Sequence, residues 1–142
     1  MTVYLDSSSL VKLYVEEPGS PDVRRIAASA SLLATSGVAY PEIRAALARR
    51  RRERSLRAAE FLRARAAFER DWGRVVAITV SDGLCQEAGE LAERHALRGF
   101  DAIHLASFAE LLRGLQGADD VEFSSFDDRL SRAARRLARS VK

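Results

Sequence analysis

Thr2-Val3-Tyr4-Leu5-Asp6-Ser7-Ser8-Ser9 is the stretch on which the reading of this chain turns. Four strand-forming or apolar residues run into an acid without polar alternation, the pattern of a short buried strand that carries a carboxylate to the edge of a sheet. The serines that follow are helix-cap residues. They predict a short helix over residues 10–15, closed by the Glu17-Pro18-Gly19-Ser20-Pro21 loop.

The same alternation of strand and helix continues outward. Residues 23–30 read as a helix and 32–35 as a second buried strand. A basic helix then begins at Gly37 or Pro41 and runs to about Arg54, with Ile43, Ala46 and Leu47 as its apolar stripe. Pro41 suits a first helical turn and Ser36 suits a cap, so both starts stay open. A further helix over 55–71 carries Ala58, Phe61, Leu62 and Phe68 and ends near Trp72-Gly73. Residues 75–80 read as the third strand. Ser81 and Asp82 cap a helix marked by Leu84, Ala88, Leu91 and Ala92, Gly99 breaks it, and another helix starts near Asp101 with Leu105, Phe108, Ala109 and Leu112 on one side. Residues 121–126 read as the fourth strand, the helical period resumes through Leu130, Ala133, Ala134 and Leu137, and residues 140–142 form a loose tail. Strands separated by helices throughout imply an α/β fold with a mainly parallel sheet and right-handed crossovers. No repeat or linker divides the chain, so residues 1–142 are expected to be a single domain.

Composition narrows the function classes. The 142 residues are 47% hydrophobic, enough for one core, and 23 basic against 20 acidic residues leave a net charge of +3, which says little about partners by itself. A lone cysteine, Cys85, excludes an internal disulfide framework and cannot build a zinc site alone. There is no basic leader followed by a long apolar stretch, and the longest apolar runs fall far short of about 18 residues. A soluble, cytoplasmic protein with no membrane partner is expected.

In an open parallel sheet, sites form outside the carboxyl ends of the strands. Asp6 and Asp127 occupy that position, while Glu42 and Asp101 sit near the starts of helices that return toward the same edge. Two carboxylates about 4 Å apart repel by about 4 kcal/mol at an effective dielectric of about 20, and a cation relieves this. Oxygen ligands suit Mg2+ or Mn2+, which can activate water and stabilise charge on a phosphodiester. Spacing alone leaves a second reading open, in which Asp101 and Asp82 cap helices and Glu42 is a solvated first-turn acid.

Four segments together resemble a PIN-domain ribonuclease of the VapC toxin type. They are Tyr4-Leu5-Asp6-Ser7-Ser8-Ser9-Leu10-Val11-Lys12-Leu13-Tyr14, Thr35-Ser36 through Tyr40-Pro41-Glu42, Leu97-Arg98-Gly99-Phe100-Asp101-Ala102-Ile103-His104-Leu105-Ala106, and Phe123-Ser124-Ser125-Phe126-Asp127. The resemblance implies a three-layer α/β/α sandwich and a Mg2+- or Mn2+-dependent endoribonuclease toxin whose cognate antitoxin masks the site. It also favours a homodimer. By position, Asp6, Glu42, Asp101 and Asp127 match the acidic quartet, with Asp6, Asp101 and Asp127 as metal ligands. Ser8 and Ser125 match hydroxyl residues that orient carboxylates or water, Ser125 standing where threonine is common. The implied reaction is hydrolysis of single-stranded RNA to 5′-phosphate and 3′-hydroxyl ends. Asp128 falls at a variable or basic position of the pattern, and its role stays open.

Arg49-Arg50-Arg51-Arg52, with Arg54 and Arg57, reads first as a solvated helix face. Its functional reading is phosphate attraction through Arg50 and Arg52, or contact with an acidic antitoxin. Arg98 either touches a substrate phosphate or pairs with the acids. His104 reads as a packed helix histidine, and His95, Cys85 and Trp72 as packing or surface residues. The apolar residues of 10–15, with Phe61, Leu62 and Phe68, serve either the core or a groove for a partner helix. Other readings of the chain are a haloacid-dehalogenase-type phosphatase, a phospho-receiver and a non-catalytic RNA- or protein-binding α/β module. The phosphatase needs a second Asp at position 8, which is Ser; the receiver needs paired acids near the first strand; the binding module would leave the quartet idle.

Overall fold

The computed structural model describes residues 1–141, and Lys142 lies outside them. Strands β1 (Thr2–Leu5), β2 (Leu32–Ser36), β3 (Val76–Ile78) and β4 (Val121–Ser124) form one sheet in the order β3-β2-β1-β4, every pair parallel. Between them run α1 (Ser7–Leu10), a 3-10 turn (Val11–Leu13), α2 (Ser20–Ser29), α3 (Ala39–Arg52), α4 (Ala58–Trp72), α5 (Asp82–His95) and α6 (Gly99–Gly114), and α7 (Asp128–Ser140) ends the fold.

Side chains alternate across a strand, so β1 feeds two cores. Tyr4 points into a cluster with Leu84, Leu105, Phe108, Leu112 and Leu130, beneath α5, α6 and α7. Val3 and Leu5 point the other way, into a cluster with Leu10, Val23, Ile43, Leu47 and Phe68. Helices thus cover both faces, giving the three-layer α/β/α sandwich. Tyr4 stacks on its register neighbour Phe123 with ring centroids 5.2 Å apart.

Because all four strands run the same way, their carboxyl ends open on one edge. Leu5 and Ser124 share a register position, so β1 and β4 release the chain side by side. That edge is tied by Thr35 Oγ1 donating to the Leu5 carbonyl at 2.7 Å and by a 2.9 Å hydrogen bond between the hydroxyls of Ser9 and Ser124.

Several sequence expectations are corrected. The helix expected over 10–15 begins instead at Ser7, with Asp6 as its cap, and tightens into the 3-10 turn after Leu10. Gly99 opens α6 rather than breaking a helix; α5 ends because Ala96 adopts a left-handed φ of 53°. The fourth strand stops at Ser124, where Ser125 and Phe126 leave the ladder, and the third is trimmed to three residues at the sheet edge. Of the two readings left open for Leu62, its 53% exposure removes the core one, and Ser140 completes α7 rather than joining a tail. Among the described residues no helix is long and apolar enough to cross a membrane.

Candidate active site

Asp6 leaves β1 with extended backbone (ψ 178°) and is only 3% exposed. Its Oδ1 accepts from the Ser9 N–H at 3.0 Å and the Ser8 hydroxyl at 2.7 Å, while the Ser125 hydroxyl donates to Oδ2 at 2.6 Å. Burial pushes the carboxyl pKa up, and the donors from Ser125, Ser8 and Ser9 offset this only in part. Among the described residues no lysine or arginine forms a salt bridge to it. The result is a buried, fixed carboxyl group with no lysine or arginine paired to it among the described residues.

Glu42 enters from the first turn of α3. Its Oε1 accepts from the Ser7 hydroxyl at 2.6 Å and lies 2.9 Å from His104 Nε2. On the far side of the ring, His104 Nδ1 lies 2.9 Å from the Tyr4 hydroxyl. A tyrosine proton on Nδ1 leaves Nε2–H to donate to Glu42, one neutral tautomer serving both bonds. Burial pushes the Glu42 carboxyl up, but the His104 and Ser7 hydrogen bonds outweigh it and hold the group below the usual range. His104 is packed, as expected, at 2% exposure, yet it also fixes an acid of the site. The sequence signal was a polar ring inside the otherwise apolar run from Ala102 to Ala106; Ser7 and Tyr4 carried no comparable signal.

Asp101 lies in the first turn of α6, two residues past the helix start, so it is not the cap; Arg98 holds that position and its Nε pairs with Asp101 Oδ2 at 3.3 Å. Asp127 is a cap: its Oδ1 accepts from the Leu130 N–H at 2.8 Å, and its own N–H donates to Ser125 Oγ at 3.0 Å. Ser81, not Asp82, caps α5. Asp6, Glu42, Asp101 and Asp127 all line one open cleft of about 640 Å³. Among the described residues, however, no three His, Cys, Asp or Glu side chains are gathered into a ready-made metal cage. The like charges stay spread along the wall, with Asp101 turned to Arg98 and Asp127 to its helix. An all-oxygen donor set around one buried carboxyl group that no lysine or arginine pairs fits a hard divalent ion that keeps several waters, not a closed zinc-type cage.

Cations share the cleft. Lys12, Arg49, Arg50 and Arg98 line it alongside the acids. Arg52, expected at the substrate path with Arg50, does not: two residues on, a helix has turned through about 200°, so the two side chains leave opposite sides of α3. Arg50 is partly committed, its Nη2 meeting Glu17 Oε2 at 3.0 Å, and Lys12 Nζ reaches Glu17 Oε1 at 2.9 Å.

A parallel sheet carrying spaced acids at its carboxyl edge between two helical layers has a family counterpart. The chain belongs to the PIN domain family, whose model matches residues 3–136. Its relatives bear out the resemblance to the VapC type. Ribonuclease VapC49 of Mycobacterium tuberculosis (strain H37Rv) is 40% identical over 105 residues, covering 74% of this chain and 73% of that protein. Ribonuclease VapC46 of the same strain is 34% identical over 139 residues, 98% of this chain and 95% of the relative.

Proposed function

We propose that this protein is a Mg2+-dependent endoribonuclease toxin that hydrolyses phosphodiester bonds of single-stranded RNA, with Mn2+ able to substitute. The observation that carries the reading is the convergence of Asp6, Glu42, Asp101 and Asp127 on one cleft that also presents cations. The names of the VapC relatives support the substrate class.

In this reading Asp6, Asp101 and Asp127 hold the ion. Bound there, the ion would polarise the phosphodiester and lower the pKa of the attacking water. Ser8 and Ser125 clamp the two oxygens of Asp6, so the carboxylate is oriented before substrate arrives. Glu42, fixed by Ser7 and His104 and held ionised, stands ready to accept a proton at the cleft wall. Arg98 can exchange its contact with Asp101 for a substrate phosphate, because its side chain is exposed. Products carry 5′-phosphate and 3′-hydroxyl ends. A cognate antitoxin and a second copy of the chain are the partners that belong to this reading. The phosphatase alternative is disfavoured at position 8, where the Ser8 hydroxyl is bound to Asp6 and no acid stands.

Labelled single-stranded RNA provides the test. Cleavage is expected with Mg2+ or Mn2+, none with EDTA, and a loss of about 100-fold or more for Asp6→Asn and Asp101→Asn. Full metal-dependent cleavage by either variant would overturn the assignment.

A further inference from the structure

Phe126 is 50% exposed and lines the same cleft as the four acids, next in sequence to Asp127. The ring is held rather than loose. Its backbone N–H donates to Ser8 Oγ at 3.0 Å, and Ser8 is the residue that binds Asp6 Oδ1. Lys12 Nζ lies 4.5 Å from the ring centroid. Gly19, at φ +93°, makes the berth, because a Cβ there would sit 2.6 Å from the ring. These partners leave half of the residue facing solvent in a cleft that the cations Lys12 and Arg50 also line.

A planar π surface fixed beside cations and a phosphodiester-cleaving centre has the chemistry of a single-strand nucleic-acid platform. Such platforms pair aromatic stacking with backbone neutralisation. We propose that Phe126 is a base-stacking subsite that receives the unpaired base of a nucleotide flanking the scissile phosphate. This rests on the ribonuclease reading of the same cleft and adds a cause for single-strand preference: in a duplex the base is already stacked on its neighbours and presents no free face. A base needs one ring. An apolar peptide needs several contacts, and the other apolar cleft-lining residues give little surface, since Val11 is buried and Ala46 is small and only part-exposed. Stacking is tolerant of base identity, with purines favoured by their larger face.

Single-stranded RNA carrying 2-aminopurine, intact or with one abasic residue moved along the strand, tests this against wild type, Phe126→Leu and Phe126→Trp. Binding is read by fluorescence quenching with Ca2+ in place of Mg2+, and cleavage is read in Mg2+. Phe126→Leu keeps an apolar group against Gly19 and is expected to weaken binding and raise KM about 5- to 100-fold, while Phe126→Trp retains both. At one strand position, removing the base should erase the difference between wild type and Phe126→Leu. Equal binding by the Leu variant, or a loss that no abasic position removes, overturns the subsite. RNA cut normally by both proteins overturns it while the nuclease reading stands. RNA bound with the Phe126 signature yet never cut in Mg2+ or Mn2+ keeps the subsite and removes the nuclease. Unchanged RNA binding with loss of a co-purifying antitoxin would assign the ring to a protein interface instead.

Discussion

His104 shows how one buried side chain serves the fold and the site together. Its ring joins the Tyr4 hydroxyl, in the core beneath α5 to α7, to the carboxylate of Glu42 at the cleft. Removing it strands two buried or half-buried polar groups, and an unsatisfied buried partner costs about 1–3 kcal/mol. His104→Ala is therefore expected to lower stability by about that amount in urea unfolding. It should also lower kcat more than it raises KM, because Glu42 loses its orientation rather than its charge. His104→Gln, able to place an amide N–H toward Glu42, should recover part of kcat at little gain in stability. Equal kcat in His104→Ala and wild type would confine the histidine to packing.

Among the elements, the loop after the 3-10 turn is pinned by one acid. Glu17 receives Lys12 from that turn and Arg50 from the last turn of α3. Burial pushes the Glu17 carboxyl up, but Lys12 and Arg50 outweigh it, so its pKa in the folded protein lies below the usual 4.5. The unfolded chain then binds this proton more readily than the folded one. The stabilisation is complete above the ordinary glutamate range and lost as pH falls through the lowered value. Unfolding midpoints of wild type and Glu17→Gln should differ at pH 7 and converge on acidification; a gap that holds constant to pH 3 would remove the ionic account. None of this was legible in the sequence, where Glu17 sat in a Pro/Gly loop 33 residues from Arg50. The strands were legible because short apolar runs end in polar residues. The acids could be placed because a parallel sheet sends every strand's carboxyl end to one edge. What failed was fine register: cap chemistry moved the first helix to Ser7, and a run of arginines gave no sign of which two would face the cleft.

Taken as a whole molecule, the small net charge conceals an ordered arrangement. Acids and cations occupy the same cleft, while Arg51, Arg52 and Arg54 face solvent away from it. Cleft arginines should therefore carry the salt dependence of RNA binding and outward ones should not. Arg49 is the cleaner probe, since Arg50 also holds Glu17. Arg49→Ala is expected to reduce the slope of log affinity against log salt by about 0.7, the value of one single-strand phosphate contact, and Arg52→Ala to leave it unchanged. Equal slopes for the two variants would show that the cleft does not select among the arginines.

The bond between Asp6 and the Ser125 hydroxyl spans 119 positions of the chain. Ribosomes deliver the amino terminus first, and β1 waits between β2 and a partner strand, β4, that is made after the other three strands. A nascent or prematurely terminated chain therefore holds Asp6 without its second clamp, without Asp127 and without Phe126. Under the proposed function, a cleft that needs these groups together is assembled only after β4 and the residues behind it have joined β1.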